Sequence, residues 1–309
     1  TVVKIYLNRP KEDWIVDRFV DEWNDHNKSF TTKNIFRSNV IWIIAPWTWR
    51  KINKVSLKNK KVVCTVHHID ESKFVGDELE KFYEMDQYVD FYHSISENTN
   101  IQLKKFTDKK IYNIPFWINP KIWFEIKNKE NIKAKYSLSE DKYYVGSFQR
   151  DTEGADLMSP KLSKGPDQFL EIVKSIKEKK PNLEVILSGK RRQYLINKLN
   201  EHKIQYSYFE MADFSELNEL YNCLDLYIVA SRVEGGPQSI LEATLTKTPI
   251  ISTDVGLAKE ILHPDSIFNM DNFLDAVPNT NYALEKIQDL LIPGGFNKFI
   301  EMFEQVYEN

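Results

Sequence analysis

Residues 231–253, SRVEGGPQSILEATLTKTPIIST, place two glutamates around a Gly-Gly pair. Glu234 and Glu242 can each accept several hydrogen bonds, which suits the adjacent hydroxyls of a sugar or a ribose. Glycine lets a ligand approach the backbone closely, yet only ten of the 309 residues are glycine, and seven of these lie between Gly146 and Gly256. The second half of the chain is therefore the predicted place of the chemistry.

The same stretch also predicts an anion site. A strand, a helix and a strand are expected at 225–231, 237–246 and 248–253. Ligands of parallel sheets bind beyond the carboxyl ends of the strands. Gly236 fits an N-cap and Pro237 fits the first helical position, which leaves the amides of Gln238 and Ser239 free to bind a phosphate. A phosphate site flanked by two carboxylates suits a nucleotide sugar.

The alternative is an ordinary helix start, with Glu234 in solvent and Glu242 paired with a lysine. Helix starts of this kind are common, so the residues alone leave both interpretations open.

Alternating strands and helices must position this stretch. In the first half, strands are predicted at 2–7, 40–45, 61–68, 91–96 and 111–115, and helices at 11–26, 78–89 and 97–106. In the second half, strands are predicted at 143–148, 183–189, 204–210, 225–231 and 248–253, and helices at 166–180, 193–202, 214–223, 237–246, 281–292 and 296–307. This alternation indicates mostly parallel sheets covered on both faces.

The predicted fold class is α/β, with two Rossmann-like, doubly wound domains. The domains are residues 1–118 and 142–290. The polar, lysine-rich segment 119–141 is predicted to be a linker, and residues 291–309 a C-terminal helix that packs back on the N-terminal domain.

Composition excludes several classes. The net charge of −3 gives no reason to expect a nucleic-acid partner. No run of eighteen apolar residues and no signal-peptide stretch occurs, and the isolated Cys64 and Cys223 suit a reducing compartment. A cytoplasmic location is expected. In the segment 46–61, two tryptophans are followed by six Lys or Arg residues. This pattern is typical either of peripheral contact with the inner face of an anionic membrane or of a solvated surface.

The sequence EGGPQSILEA resembles the E-x7-E signature of retaining glycosyltransferases of the GT-B fold, family four. The likeness covers residues 143–262, through YYVGSF, SKGPDQFLEIV, LEVILSG and the stretch that ends in TPIISTDVGLAKEIL. The first half is similar only through TVHH and SISENT. The resemblance implies two Rossmann-like domains that face a central cleft, with the donor on the C-terminal side and the acceptor on the N-terminal side.

The resemblance also implies roles for residues on the donor side. Glu242 would hold the ribose hydroxyls and Glu234 the donor sugar, while Lys164 and Arg150 would bind the diphosphate. The gap of thirteen residues between Arg150 and Lys164 is longer than the family's usual gap, and surface charges are the alternative for both. The remaining implied donor-binding positions are Gly235, Gly236, Gln238, Ser239, Gly146 and, near the base, Met211.

On the acceptor side the family often has a histidine at the end of the TVHH strand. His67 is the first choice and His68 the second, and alternation along a strand points them to opposite sides. One of them satisfied in the core is the alternative. Ser96 would line the same cleft, or else cap the next helix.

The expected function is transfer of a sugar from a nucleotide diphosphate sugar, with UDP the first choice, to a hydroxyl of a glycan or a lipid-linked acceptor in polysaccharide biosynthesis. No cofactor is expected, because the nucleotide sugar is itself the substrate. No metal is expected, because a strand-end DxD pair is lacking. The rivals are a sugar-nucleotide epimerase or hydrolase of the same fold and an inactive sugar-nucleotide-binding partner subunit.

Overall fold

The computed structural model describes residues 2–12 and 15–309. The chain forms two compact units, which are the first domain (residues 1–117 and 292–309) and the second domain (residues 118–291). Each contains a parallel sheet with helices packed on it. The predicted α/β fold with two Rossmann-like domains is therefore confirmed.

The described part of the first domain has a parallel sheet of five strands in the order β1-β2-β3-β4-β5. Its elements are β1 (Ile5–Leu7), α1 (Ile15–His26), β2 (Val40–Ile43), α2 (Lys54–Asn59), β3 (Lys61–Val66), α3 (Asp77–Asp86), β4 (Phe91–Ser94), α4 (Glu97–Leu103) and β5 (Ile111–Asn113). Residues 13 and 14 of the helix predicted at 11–26 lie outside the described residues.

The second domain, described throughout, has a parallel six-stranded sheet in the order β10-β9-β6-β11-β12-β13. Its elements are α5 (Lys129–Lys135), β6 (Tyr143–Ser147), β7 (Thr152–Glu153), β8 (Ser159–Pro160), α6 (Pro166–Lys179), β9 (Leu183–Ser188), α7 (Gln193–Glu201), β10 (Tyr206–Phe209), α8 (Phe214–Cys223), β11 (Leu226–Val229), α9 (Gln238–Leu245), β12 (Ile250–Thr253), α10 (Ala258–Ile261), β13 (Ile267–Phe268) and α11 (Thr280–Lys286).

A last helix, α12 (Asn297–Glu308), belongs to the first domain. Its Phe303 ring lies 5.7 Å from the Trp23 ring of α1 and 5.0 Å from the Trp42 ring of β2. Aromatic pairs at such distances stabilise a core beyond the area that they bury. The aromatic face of α12 and the face of α1 together cover one side of the first sheet.

The segment 119–141, predicted to be a linker, is part of the second domain. Trp123, Ile132 and Leu138 are buried in that domain's core, and Asn222 of α8 accepts the Ile126 amide at 2.8 Å. The prediction was wrong because three buried apolar side chains, spread over a lysine-rich segment, give no helix or strand period in the sequence.

The strand order of the second sheet is the Rossmann order, and it reverses between β6 and β11. From β6 the chain winds outward through β9 and β10, then returns to β11 on the other side. Such a switch point leaves a crevice at the carboxyl ends of the two central strands, where ligands of open α/β sheets bind. The sequence places the loop with Glu234 directly after β11.

Candidate functional site

A buried ion pair lies at this switch point. Lys164 Nζ donates to Glu234 Oε2 at 2.8 Å, and Ser231 Oγ donates to Glu234 Oε1 at 2.7 Å. The Glu234 side chain is only 6% exposed and that of Lys164 is 26% exposed. An ammonium has three donors, so the pairing leaves Lys164 able to bind an anion as well.

Ser231, which was not predicted from the sequence, makes hydrogen bonds to several of the surrounding loops. Gln149, in the loop after β6, donates to Ser231 Oγ at 2.9 Å, and Thr253 Oγ1 donates to the Ser231 carbonyl at 2.6 Å. The ends of β6, β11 and β12 are thereby tied to the residue that holds Glu234. The position of Ser231 at a strand end, three residues before Glu234, was the available signal.

Helix α9 begins one residue later than predicted. Pro237 is the N-cap with extended backbone (ψ 153°), the Gly236–Pro237 peptide is cis, and Gln238 is the first helical residue. The Gly236 carbonyl accepts the Leu257 amide at 2.6 Å. The predicted cap at Gly236 was wrong because this bond holds Gly236 against the loop after β12.

The glycines of this loop allow a close approach of backbone to backbone. Gly256 has a φ of +51°, and a Cβ there would lie 2.0 Å from the Gly236 carbonyl oxygen and 2.7 Å from that of Gly235. The two loops at the start of α9 therefore form one packed unit.

The start of α9 retains the features of an anion site. The first amides of a helix, here those of Gln238 and Ser239, have no intrahelical acceptor. The Gln238 Oε1 atom is buried without a hydrogen-bond partner. Buried polar atoms are normally paired, so this oxygen has capacity to accept a hydrogen bond from a ligand hydroxyl, while the amides are the groups that can bind an anion.

Glu242 lies inside the domain, on α9. Its side chain accepts the Tyr221 hydroxyl at 3.0 Å, and both residues are buried. Burial, and next the negative charge of Glu242, raise the pKa of Tyr221 well above its usual value. Tyr221 therefore stays a neutral donor that fixes the direction of the carboxylate.

Tyr221→Phe should weaken the binding of UDP, the nucleotide expected from the sequence, by about 10-fold, because a hydrogen bond to a charged group contributes about 1.5 kcal/mol. Calorimetric titration measures the change. Tyr208→Phe is the matched control, since Tyr208 donates to Gly189 O at 2.6 Å in the same domain. Equal UDP affinity of Tyr221→Phe and wild type would contradict the prediction.

Arg150 bonds within its own loop, where its Nε donates to Thr152 O at 3.0 Å. The thirteen residues that follow it contain the β7–β8 hairpin, which accounts for the long gap before Lys164. A different arginine, the N-cap residue of α7, is buried at the carboxyl ends of β6 and β9. Arg192 is fully buried and donates to Asp151 Oδ2 at 2.6 Å, Ser147 O at 2.7 Å and Ser188 O at 2.6 Å.

Arg192 thus ties the carboxyl ends of β6 and β9 to the loop that carries Gln149 and Arg150. This role of Arg192 was not predicted from the sequence. The available signal was the basic run GKRRQ directly after the predicted strand 183–189.

Two predicted donor-binding positions lie elsewhere. Gly146 is inside β6, and a Cβ there would lie 2.3 Å from Leu224 Cδ1, so packing explains this glycine. Met211 follows the edge strand β10, with its side chain 73% exposed. The structure does not join these two residues to the Lys164–Glu234 pair.

In the first domain, His67 and His68 help line a pocket of about 410 Å³ at the ends of β2 and β3, together with Trp47, Trp49, Phe74 and Phe82. His67 Nε2 lies 2.7 Å from the Ile44 carbonyl. A carbonyl only accepts, so Nε2 carries the proton and Nδ1 is the basic nitrogen. Burial lowers the pKa of His67 to about 4.

His68 is exposed. Strand β3 ends at Val66, so alternation along a strand does not apply to the two histidines, and the prediction that they point to opposite sides was wrong, since both line this pocket. Ser96 is fully buried, and its Oγ accepts the Thr99 amide at 3.2 Å as the N-cap of α4. Ser96 therefore has the capping role that was its alternative, and the structure does not place it on an acceptor surface.

The stability of the first domain should fall as the pH drops from about 6.5. Burial lowers the pKa of His67 to about 4 and that of His93 to about 3, whereas an unfolded histidine has a pKa of about 6.5. Below pH 6.5 the unfolded chain therefore binds more protons, and stability is lost progressively towards the folded pKa values.

Between pH 7.5 and 5, each histidine should remove about 2 kcal/mol of unfolding free energy. Urea unfolding followed by tryptophan fluorescence reports this domain, because six of the seven tryptophans lie within residues 1–117. His93→Asn should flatten the pH dependence. An unchanged slope in that variant would rule out His93 as a source.

The segment 46–61 is divided between core and surface. Trp49 is buried, whereas Trp47 is 49% exposed. None of the described helices is long and apolar enough to cross a membrane. Peripheral membrane contact through 46–61 stays a prediction.

Fold and site define the class of protein, which is an α/β protein with two Rossmann-like domains and a cluster of polar side chains at the switch point of the second. The sequence profile of the family described as Glycosyl transferases group 1 matches residues 128–296, more than half of the chain. The chain belongs to this family.

A characterised relative is the lipopolysaccharide core biosynthesis mannosyltransferase LpsB of Rhizobium meliloti (strain 1021). It is 25% identical over 142 residues, which are 44% of this chain and 38% of the relative. The match thus spans well under half of that protein's length.

The fold is similar to that of solved GT-B glycosyltransferases. The structure of the HepE protein of Anabaena, in complex with UDP and glucose, superposes with a TM-score of 0.71 at 11% sequence identity. The superposition covers 99% of this chain and 100% of the HepE chain. Sucrose-phosphate synthase from Thermosynechococcus elongatus superposes with a TM-score of 0.66 at 15% sequence identity, over 97% of this chain and 80% of the synthase chain.

Proposed function

We propose that the protein is a retaining glycosyltransferase of family four. It transfers a sugar from a nucleotide diphosphate sugar, with UDP the first choice, to a hydroxyl of a glycan or lipid-linked acceptor, without a metal ion. The observation that carries the proposal is the Lys164–Glu234 pair, 2.8 Å apart at the switch point of the second domain. A cation beside a buried carboxylate suits a ligand that has both phosphate and hydroxyl groups.

The diphosphate is assigned to Lys164 and to the amides of Gln238 and Ser239. Negative charge grows on the β-phosphate as the sugar leaves, and fixed donors aimed at that oxygen stabilise the transition state. Lys164 supplies the positive charge there, which supports a metal-independent reaction. Arg150 is assigned to the same diphosphate on the family resemblance alone.

The hydroxyls are assigned to the two glutamates. Glu242, fixed by Tyr221, holds the ribose, and Glu234 holds the donor sugar. The acceptor is assigned to the first domain, where His67 has an unprotonated Nδ1.

Retention of configuration is proposed to come from attack on the front face of the sugar. The bond from the anomeric carbon to the β-phosphate oxygen breaks, and the acceptor oxygen forms a new bond to that carbon on the same face. The acceptor proton passes to the leaving phosphate oxygen. This route balances without a protein nucleophile, and neither Glu234 nor Glu242 has to form a bond to the sugar.

The relatives support the choice of substrates. HepE structures contain UDP with glucose, and UDP-glucose, which favours a uridine nucleotide. LpsB is named for lipopolysaccharide core biosynthesis, which favours a glycan or lipid-linked acceptor.

Calorimetric titration of the whole chain with UDP and GDP, with and without EDTA, tests the donor assignment. The expected result is saturable binding of one nucleotide, unchanged by EDTA. UDP-glucose and GDP-mannose then serve as donors for a panel of acceptors, and NMR of the product gives the anomeric configuration. Binding of neither nucleotide would contradict the proposal, and turnover without transfer would favour the hydrolase.

A further inference from the structure

One side chain spans the two loops that carry the candidate site. Arg232 follows Ser231 on the loop after β11, two residues before Glu234. Its Nη1 donates to Leu162 O at 2.8 Å and to Asp167 Oδ1 at 2.9 Å, and its Nη2 donates to Asp167 Oδ2 at 2.7 Å. This is the two-pronged geometry in which an arginine binds a carboxylate with a defined orientation.

The backbone of the same loop makes a second connection. The amides of Arg232 and Val233 both donate to the Ser163 carbonyl, at 2.8 and 3.1 Å. Together with the guanidinium, the loop therefore contacts residues on both sides of Lys164.

The residue after Lys164 is fixed by close packing. Gly165 has a φ of +63°, and a Cβ there would lie 1.8 Å from the Ala230 carbonyl oxygen. The start of α6 therefore lies directly against the end of β11. The backbone contacts at Ser163 and Gly165 hold the chain at Lys164, and the guanidinium of Arg232 additionally holds Leu162 and Asp167, on either side of it.

We propose that the Arg232–Asp167 pair is a clamp that sets the position of the Lys164 ammonium relative to Glu234, and that Arg232 is a positioning residue for sugar transfer. The inference rests on the proposed function, since it concerns the rate of that reaction. Arg232 acts through Lys164 and does not need to touch the substrate.

Magnitudes favour a positioning role over a purely structural one. The side chains of Arg232 and Asp167 are 40% and 37% exposed. Exposed ion pairs add little to stability. In contrast, a misplacement of about 1 Å at a reacting centre can lower a rate by about 100-fold. Loss of the clamp should therefore lower kcat far more than it lowers thermal stability.

The test compares Arg232→Met with wild type in the full chain, with UDP-glucose and GDP-mannose as donors, and follows release of UDP or GDP. The expected result is a fall in kcat of about 30- to 100-fold, with KM for the donor changed less than about 3-fold. The melting temperature should fall by less than about 4 °C. The exchanged pair Arg232→Asp/Asp167→Arg should regain part of the lost kcat.

Lys135→Met is the matched control, because it removes another surface ion pair of the same domain, Lys135–Glu219 at 2.8 Å. It should leave kcat unchanged. Wild-type kcat in Arg232→Met would overturn the clamp while the proposed function stands. A melting temperature that falls by clearly more than about 4 °C together with the loss of kcat, and no recovery of kcat in the exchanged pair, would overturn the clamp in favour of a structural role. Absence of turnover and nucleotide binding in wild type would overturn the proposed function, and the clamp's role in rate with it.

Discussion

Lys164→Met should lower kcat for sugar transfer by about 100- to 1,000-fold, the usual loss when a donor to a developing oxyanion is removed. The variant lacks the Lys164 ammonium, the positive charge that we assign to the leaving diphosphate. Affinity for UDP should fall less, by about 10-fold, because the amides at the start of α9, to which we also assign the diphosphate, remain in place. Steady-state kinetics and calorimetry with UDP separate the two effects.

A loss of stability must be separated from the loss of rate. The Glu234 side chain is 6% exposed. Without the Lys164 ammonium, the Glu234 carboxylate keeps the hydrogen bond from Ser231 Oγ but loses its ion pair. Breaking a buried charged pair costs about 3 kcal/mol or more. The double variant Lys164→Met/Glu234→Gln removes both charges, so it should regain much of the stability and none of the activity.

Lys174→Met is the control for charge alone, since Lys174 pairs with Glu171 on the surface of α6. Its kinetics should match those of wild type. If Lys164→Met retained kcat within about 3-fold, the diphosphate assignment would be wrong.

All strands of the two parallel sheets except the two-residue edge strand β13 could be predicted from the sequence, because a strand buried on both faces reads as a short continuous apolar run. Runs such as VIWI of β2 and LYIV of β11 have this property and are buried throughout. The linker prediction at 119–141 failed because three buried side chains in a lysine-rich segment do not give a period.

The candidate site divides in the same way. Glu234 and Glu242 could be proposed from a local pattern, a loop and helix start after a strand, whereas Lys164 was proposed from the family resemblance alone. The roles of Arg192, Tyr221 and Arg232 could not be predicted, because their partners are distant in the sequence; the basic run GKRRQ marks the position of Arg192 but not its partners. Arg232 pairs with a residue 65 positions away, and Tyr221 with one 21 positions away. Only the order of strands in the sheet brings such residues together.

Glu242→Ala should weaken the binding of UDP by about 10- to 100-fold, because hydrogen bonds to a charged acceptor contribute about 1.5 to 3 kcal/mol. The carboxylate is buried and its direction is fixed by the Tyr221 hydroxyl at 3.0 Å. Glu242→Gln keeps the shape and an acceptor for Tyr221, so it should fold like wild type and lose the charge alone. Calorimetry with UDP measures both variants.

The ribose assignment is tested from the side of the ligand. Wild type should bind 2′-deoxy-UDP or 3′-deoxy-UDP more weakly than UDP, because the deoxy compound lacks a hydroxyl for Glu242. In Glu242→Ala the preference for UDP over the deoxy compound should disappear. The variant lacks the carboxylate and the deoxy compound lacks the hydroxyl, so each change removes the same hydrogen bond, and the second change has nothing further to remove. A variant that still distinguished UDP from both deoxy compounds as wild type does would place the ribose elsewhere, even if its overall affinity had fallen.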